Sequence, residues 1–144
     1  MAREKKPPKV VLVDDDEFLV DMYAFKFKER GIDIVAFRKG KEALAYLKEG
    51  NVPDLLVTDL IMPEVDGLTL LREVRDMQLS PAPVIIILSN QGQDEDIEKA
   101  KELGADGYII KANAVPSEVI ETCLSRLAQG KGPQDTADGA EARA

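Results

Sequence analysis

Acidic, hydroxyl and basic side chains stand where several short apolar segments of the sequence end. They are Asp14, Asp15, Asp59, Ser89 and Lys111. Carboxylates brought within about 4–6 Å of each other repel strongly unless a cation lies between them. Oxygen ligands of this kind suit Mg²⁺, while a lysine supplies a point charge and a serine supplies a hydrogen-bond donor. Phosphoryl transfer to a carboxylate nucleophile requires this combination of groups.

Five short apolar runs, rich in Val and Ile, alternate with segments of helical periodicity. The runs are residues 10–13, 32–37, 55–57, 84–88 and 108–110. Because their hydrophobicity is continuous, they predict strands that are buried on both faces, as in a parallel sheet. Glycines stand where the intervening helices should end, at Gly31, Gly50 and Gly104. The pattern predicts a doubly wound α/β fold, in which ligands bind beyond the carboxyl ends of the strands.

Composition excludes several classes of site. The 144 residues include no histidine, which rules out a Ser-His-Asp triad, a Cys-His dyad and a His-ligated zinc site on this chain. The single cysteine, Cys123, cannot form an internal disulfide, and its position on an apolar helical stripe predicts a core residue. A net charge of −8 argues against a general nucleic-acid binder.

The ends of the sequence differ in composition from its middle. Residues 1–8 form a basic arm, residues 9–129 a single folded domain, and residues 130–144 a tail without large apolar residues, which we expect to be disordered. The apolar run after the arm is too short for a signal-peptide core or a membrane span. We therefore expect a cytoplasmic, single-domain protein.

Each candidate residue also has an ordinary structural interpretation. We expect Asp16 to cap the following helix rather than to serve the site. Asp59 could be a turn residue, Ser89 a helix cap and Lys111 a surface lysine. The functional interpretation depends on all of these strand ends lying at the same edge of one sheet.

Four segments together resemble the motifs of two-component response-regulator receiver domains. They are VLVDDD at residues 11–16, DLIMPEVDG at residues 59–67, Ser89 after its apolar run, and GADGYIIK at residues 104–111. The resemblance covers about residues 9–128. It implies a flavodoxin-like fold, with five helices and a five-stranded parallel sheet in the order 2-1-3-4-5.

The resemblance implies a phosphoacceptor beside a metal site. Asp59 would accept the phosphoryl group and also contact Mg²⁺. Asp15 would bind the metal directly, Asp14 mainly through water, and the backbone carbonyl of Ile61 would be a further ligand.

The resemblance also implies a conformational switch. Lys111 would pair with the phosphoryl oxygens, and Ser89 would donate a hydrogen bond to one of them. Tyr108 would turn inward when Ser89 moves toward the new group, which brings a charge of about −2. Such a switch needs two packings that differ by only a few kcal/mol.

One position departs from the family pattern, and two others are positions at which the family tunes its chemistry. Ala112 follows Lys111 where the family usually has a proline after a cis bond. A cis bond to a non-proline residue costs about 2.5–4 kcal/mol, so we expect a trans bond, with Lys111 still reaching the phosphoryl group. In the family, hydrolysis of the acyl phosphate is tuned at the positions of Ile61 and Gln91. Isoleucine cannot orient an attacking water molecule, whereas Gln91 can, and from the pair we expect slow dephosphorylation.

The first helix has more apolar residues than one buried stripe needs. Its inner face can hold Leu19, Met22, Tyr23 and Phe27. Phe18 and Phe25, seven residues apart, then lie on a flank. We interpret them as the edge of a wide core-facing arc. The alternative is a docking patch for a kinase or phosphotransfer partner, since this helix borders the acidic site.

The favoured functional hypothesis is a stand-alone receiver, phosphorylated on Asp59 by a histidine kinase or a histidine phosphotransfer protein. Since the chain has no histidine, the donor histidine must belong to another protein. The chain would assist its own phosphorylation and dephosphorylation without turning over a separate substrate. Its output would be a contact with an unidentified downstream protein around Tyr108, with no direct role for nucleic acid or membrane.

Two alternatives stay open. The first is a Mg²⁺-dependent phosphatase with an aspartyl nucleophile, which the spacing of Asp14 and Asp16 superficially suits. Glu17 and Phe18 replace the Gly-Thr expected there, and the sequence has no room for a substrate-covering cap. The second is a docking receiver that binds partners without phosphorylation, which the full set of acceptor, metal and lysine residues disfavours.

Overall fold

Five strands alternate with five α-helices in the computed structural model, which describes residues 7–90 and 92–129. The elements are β1 Lys9–Val13, α1 Glu17–Glu29, β2 Asp33–Phe37, α2 Gly40–Lys48, β3 Leu55–Thr58, α3 Gly67–Asp76, β4 Val84–Ser89, α4 Asp94–Glu102, β5 Gly107–Ile110, a 3₁₀ turn Lys111–Asn113 and α5 Pro116–Gln129. Most of the basic arm (residues 1–6) and the whole C-terminal tail (residues 130–144) lie outside the described residues.

All five strands are parallel and form one sheet in the order β2-β1-β3-β4-β5. Val13 lies opposite both Phe37 and Thr58, and Ser89 lies opposite Ile110, so the strands end at a common edge. The predicted doubly wound fold and its strand order are confirmed. Each strand begins and ends within one residue of its predicted run. The central strands β1, β3 and β4 are almost wholly buried, as predicted, whereas the edge strands β2 and β5 are half-buried.

Two apolar cores lie on opposite faces of the sheet. Alternate strand residues face α2, α3 and α4 on one side, and α1 and α5 on the other. Cys123 belongs to the α1 and α5 side, where burial raises the pKa of its thiol to about 12. Its predicted place in the core is confirmed.

Side chains and glycines set the limits of the helices. Asp16 caps α1, since its Oδ1 accepts hydrogen bonds from the N–H groups of Phe18 at 3.0 Å and Leu19 at 3.2 Å. The predicted stops after α1, α2 and α4 all adopt positive φ, at Gly31, Gly50 and Gly104. No helix in residues 7–90 and 92–129 is long and apolar enough to cross a membrane.

Helix α1 turns its large apolar side chains in two directions. Val20, Tyr23 and Phe27 are buried, whereas Phe18 is 73% exposed and Phe25 is 60% exposed. At about 100° per residue, seven residues make nearly two full turns, so the two exposed rings share one face, far from the buried one. The interpretation of these rings as the edge of a core-facing arc is therefore wrong.

Arg75, in α3, links the segment before β5 to the segment before β4 through hydrogen bonds. Its guanidinium donates to the Gly104 carbonyl at 2.6 and 3.1 Å, to the Pro83 carbonyl at 3.0 Å and to Asp106 Oδ2 at 3.0 Å. The same Asp106 oxygen accepts from the N–H of Ile85 at 2.9 Å. These bonds fix the edge strand whose other end leads into Lys111.

Candidate functional site

Three aspartates meet beyond the carboxyl ends of β1 and β3. Asp14 follows β1, and its N–H donates to the Phe37 carbonyl at 3.1 Å. Asp59 follows β3, and its N–H donates to the Val13 carbonyl at 2.9 Å. One carboxylate oxygen from each of Asp14, Asp15 and Asp59 lies within 4.8 Å of the other two. The structure therefore brings together the acids that the sequence singles out.

The three acids differ in burial and in hydrogen bonding. Asp14 is 1% exposed and Asp59 is 9% exposed, whereas Asp15 faces solvent. Asp14 Oδ1 accepts from the N–H of Asp16 at 3.0 Å. Asp59 Oδ1 accepts from the N–H of Leu60 at 2.6 Å, which fixes the rotation of that carboxylate.

Lys111 joins the two buried carboxylates. Its Nζ donates to Asp14 Oδ2 at 2.7 Å and to Asp59 Oδ2 at 3.2 Å, and its side chain is only 10% exposed. The Lys111–Ala112 bond is trans, as expected, since Ser80–Pro81 is the one cis bond among the described residues. The 3₁₀ turn that begins at Lys111 carries its side chain to the acids without the proline of the family pattern.

Burial and neighbouring charges shift the pKa values of Asp14 and Lys111 in opposite directions. Burial raises the pKa of the Asp14 carboxyl, and the hydrogen bond from Lys111 only partly offsets that effect. Burial alone would lower the pKa of the Lys111 ammonium, but Asp14 and Asp59 together raise it above its usual value. Lys111 is therefore a permanent cation at neutral pH.

The donor set fits a hard divalent cation. Three carboxylates supply oxygen atoms at close range, and one of them is open to solvent. A single ammonium does not balance three carboxylates, so the site retains an excess of negative charge. Mg²⁺ favours oxygen ligands and keeps several of its waters, which suits a site with one exposed acid. Ile61, the predicted carbonyl ligand, follows Asp59 by two residues, with its side chain 59% exposed.

The loop after Asp59 depends on residues that sequence reasoning did not assign to the site. Thr58 is buried, and its hydroxyl donates to the Asp59 carbonyl at 2.9 Å. Gly67 begins α3 and donates its N–H to the Leu60 carbonyl at 2.8 Å. A Cβ on Gly67 would lie 2.8 Å from Leu60 Cα and would overlap the Asp59 carbonyl oxygen. A threonine that ends an aliphatic strand was the available sequence signal for the first of these residues.

Ser89 and Tyr108 lie on the neighbouring strands β4 and β5. Ser89 is buried, Tyr108 is half-buried against the core beneath α3 and α4, and a side-chain hydrogen bond joins them. Burial, followed by the charge of Asp96, raises the pKa of Tyr108 to about 12, while the bond with Ser89 opposes the rise and the charge of Asp59 adds to it. The two residues predicted to form a switch are therefore in contact. Gln91, predicted to tune dephosphorylation, lies outside the described residues.

Exposed apolar side chains follow the carboxyl ends of three strands. Phe18 begins α1 after β1, Ile61 follows β3, and Val115 follows β5 immediately before α5. Val115 was not singled out from the sequence. Its N–H is held by Glu118 Oε1 at 3.1 Å, which fixes its position at the start of the helix.

Comparison with known proteins identifies one family. The model of the response regulator receiver domain matches residues 10–122. The regulatory protein VanRc of Enterococcus gallinarum is 32% identical over 119 residues, which are 83% of this chain and 49% of that protein. The chain thus spans about half the length of this curated relative.

Solved structures agree with this match. The receiver domain of the Francisella response regulator 1452 has 33% identity and a TM-score of 0.75, covering 85% of this chain and 98% of that one. The chemotaxis protein CheY4 of Vibrio cholerae has 26% identity and a TM-score of 0.76, covering 84% of this chain and 98% of that one.

Proposed function

Because the chain belongs to the response regulator receiver domain family, we propose that its Asp59 accepts a phosphoryl group from a histidine kinase or a histidine phosphotransfer protein. Receiver domains are signalling modules of two-component systems, and this chain has no histidine of its own to act as donor. The observation that carries the proposal is the contact of Asp59 with Lys111 within the cluster of three acids.

The geometry suggests how the chain's own groups would assist the transfer. The N–H of Leu60 holds one oxygen of Asp59 and so orients the carboxylate as a nucleophile. As Asp59 attacks, the phosphorus–nitrogen bond of the donor breaks and its electron pair stays on the imidazole. Lys111, within 3.2 Å of Asp59, would then bind the phosphoryl oxygens with its ammonium. In this role Lys111 would help the chain to promote its own phosphorylation, with no separate substrate to turn over.

We assign Mg²⁺ to Asp14, Asp15, Asp59 and the carbonyl of Ile61. When bound, the ion would supply positive charge near the oxygens of the transferring phosphoryl group. The exposed Asp15 would receive the cation from solvent, while the buried Asp14 and Asp59 would hold it close to the nucleophile.

Phosphorylation would act on the pair formed by Ser89 and Tyr108. The phosphoryl oxygens are strong acceptors and would draw the Ser89 hydroxyl away from Tyr108. Tyr108 would then repack against the core under α3 and α4, which changes the surface formed by α4, β5 and α5. A downstream protein would recognise that altered surface.

The test of the proposal is phosphorylation by a small donor. The wild-type chain, Asp59→Asn and the control Asp33→Asn are incubated with MgCl₂ and acetyl phosphate, and intact mass is recorded with time. We expect one phosphate on the wild type and on Asp33→Asn, whose carboxylate lies at the other end of β2, and none on Asp59→Asn. Omission of Mg²⁺ should strongly slow the reaction.

The alternatives give different results in the same experiment. Rapid release of phosphate from many phosphomonoesters would favour the aspartyl phosphatase. A chain that gains no phosphate and shows no response to Mg²⁺ would favour a docking receiver.

A further inference from the structure

A groove opens toward the amino-terminal ends of β1 and β2, away from the three acids. Its floor is apolar, since Val11 and Val35 lie opposite each other in register and Tyr46 of α2 lies beside them. The ring of Tyr46 is held by Phe37, with ring centroids 5.3 Å apart. The groove has about 310 Å³ of empty space, part of it open to solvent, so it suits only a small occupant.

Two opposite charges stand at the rim of this groove. Lys9 and Asp33 begin β1 and β2, lie directly opposite each other in register, and are both exposed. Because alternate residues of a strand share a face, these side chains lie on the same face as Val11 and Val35. Within residues 7–90 and 92–129, no ion pair joins the Lys9 ammonium to the Asp33 carboxylate. A cation and an anion are therefore available side by side above an apolar floor.

Hydrogen bonds fix the rest of the rim. Asn51 Nδ2 donates to the Tyr46 carbonyl at 2.9 Å, which leaves Oδ1 as the acceptor of that side chain. The N–H of Lys9 donates to Asp54 Oδ2 at 2.8 Å, and the N–H of Asp54 donates to the Lys9 carbonyl at 2.8 Å. Because the backbone of the rim is already ordered, an occupant loses less free energy to ordering the site when it binds.

We propose that this groove binds a free α-amino acid with an apolar side chain. The carboxylate of the amino acid would pair with the Lys9 ammonium, and its own ammonium would pair with Asp33 and with Asn51 Oδ1. Its side chain would cover Val11 and Val35. An occupant with a single charge would leave one charge of the rim without a partner. The inference does not depend on the proposed function, because the groove shares no residue with the acidic site.

The experiment is an L-leucine titration of the full ¹⁵N-labelled chain, without MgCl₂ or a phosphoryl donor. We expect saturable shifts of the Val11, Val35 and Asn51 amides with a Kd of about 1 mM, because so small a ligand makes few contacts. Two analogues test the two charges. Isoamylamine lacks the carboxylate and 4-methylpentanoate lacks the ammonium, so each should bind about tenfold more weakly than leucine.

One substitution separates the two analogues. Lys9→Met keeps most of the aliphatic stem but removes the partner of the carboxylate, so leucine should bind about tenfold more weakly while isoamylamine binding stays unchanged. Lys28→Met is the matched control, because Lys28 is an exposed lysine of α1, which packs on the other face of the sheet. Its leucine affinity should stay within about twofold of the wild type, since distant surface charges are screened.

The absence of a saturable shift at about 20 mM leucine, well above the expected Kd, would overturn the inference. Shifts confined to the amides around Asp59 would do the same. Equal binding of either analogue and leucine would show that the site does not recognise both charges. Equal leucine affinity in Lys9→Met and Lys28→Met would remove Lys9 from the site. Because Mg²⁺ and phosphoryl donors are absent, none of these results bears on phosphorylation of Asp59.

Discussion

Ile61 follows the proposed phosphoacceptor Asp59 by two residues, and its apolar side chain cannot hold or activate water. It is 59% exposed, so a change there should affect the chemistry of the site more than the stability of the fold. We expect phosphorylated Asp59 to be long-lived, and Ile61→Asn to shorten that lifetime by about tenfold by orienting a water molecule.

Loss of the phosphoryl group is followed by intact mass after removal of acetyl phosphate, with MgCl₂ present. Val115→Asn is the matched control, because it replaces another exposed apolar residue, which follows β5, two strands away from β3 in the sheet. A wild-type lifetime of only a few seconds would contradict the expectation.

Cys123 should make the fold sensitive to alkaline pH. Its folded pKa of about 12 exceeds the ordinary value of 9.0, so the unfolded chain loses the thiol proton first as pH rises. Stability is therefore complete below pH 9 and decreases above it, by about 2 kcal/mol between pH 8 and pH 10.5 from this thiol alone. Urea unfolding at the two pH values measures the loss, which should be smaller in Cys123→Ala. An equal loss in the variant would assign it to other groups.

At the scale of elements, the turn between β3 and α3 depends on close contact between backbone atoms. A methyl group at Gly67 would overlap the Asp59 carbonyl, so Gly67→Ala should lower the free energy of unfolding by about 2–4 kcal/mol and reduce phosphorylation. Gly92→Ala is the control, since its Cβ would meet only the flexible end of the Ile110 side chain. Urea unfolding and acetyl phosphate labelling check both effects. Equal stability of the two variants would show that the turn can relax.

The elements themselves could be predicted because the strands have continuous apolar runs and α1, α2 and α4 are followed by glycines. The orientation of α1 could not be predicted, because the helix has more apolar residues than its buried face can hold. Only the packing determines that Phe18 and Phe25 face solvent.

The details of the site could not be predicted either. The roles of Thr58 and Gly67 depend on contacts across a turn. The Nζ atom of Lys111 lies 0.5 Å closer to Asp14 Oδ2 than to Asp59 Oδ2. Sequence patterns do not specify such distances.

At the scale of the whole molecule, we propose that the exposed rings of α1 form a docking surface for the phosphoryl donor beside the acidic site. Phe18 follows Asp15 by only three residues, so a donor that packs on Phe18 and Phe25 would have its histidine near Asp59. We expect Phe18→Ser and Phe25→Ser to weaken transfer from a cognate histidine kinase by about tenfold each, because aromatic anchors dominate such interfaces.

The control for this prediction is a second, small phosphoryl donor rather than a further variant. Acetyl phosphate needs no docking surface, so both variants should be labelled by it at the wild-type rate. A loss of labelling by both donors would assign the rings to the stability of the fold.

The proposed docking rings and the proposed switch residue lie on different sides of the sheet. The rings of α1 lie on one side, whereas Tyr108 packs on the side of α3 and α4. A donor seated on α1 would leave Tyr108 uncovered, so a downstream protein could bind before the donor has departed. Phosphoryl transfer and recognition of the switched surface would then overlap in time, in a transient three-protein assembly.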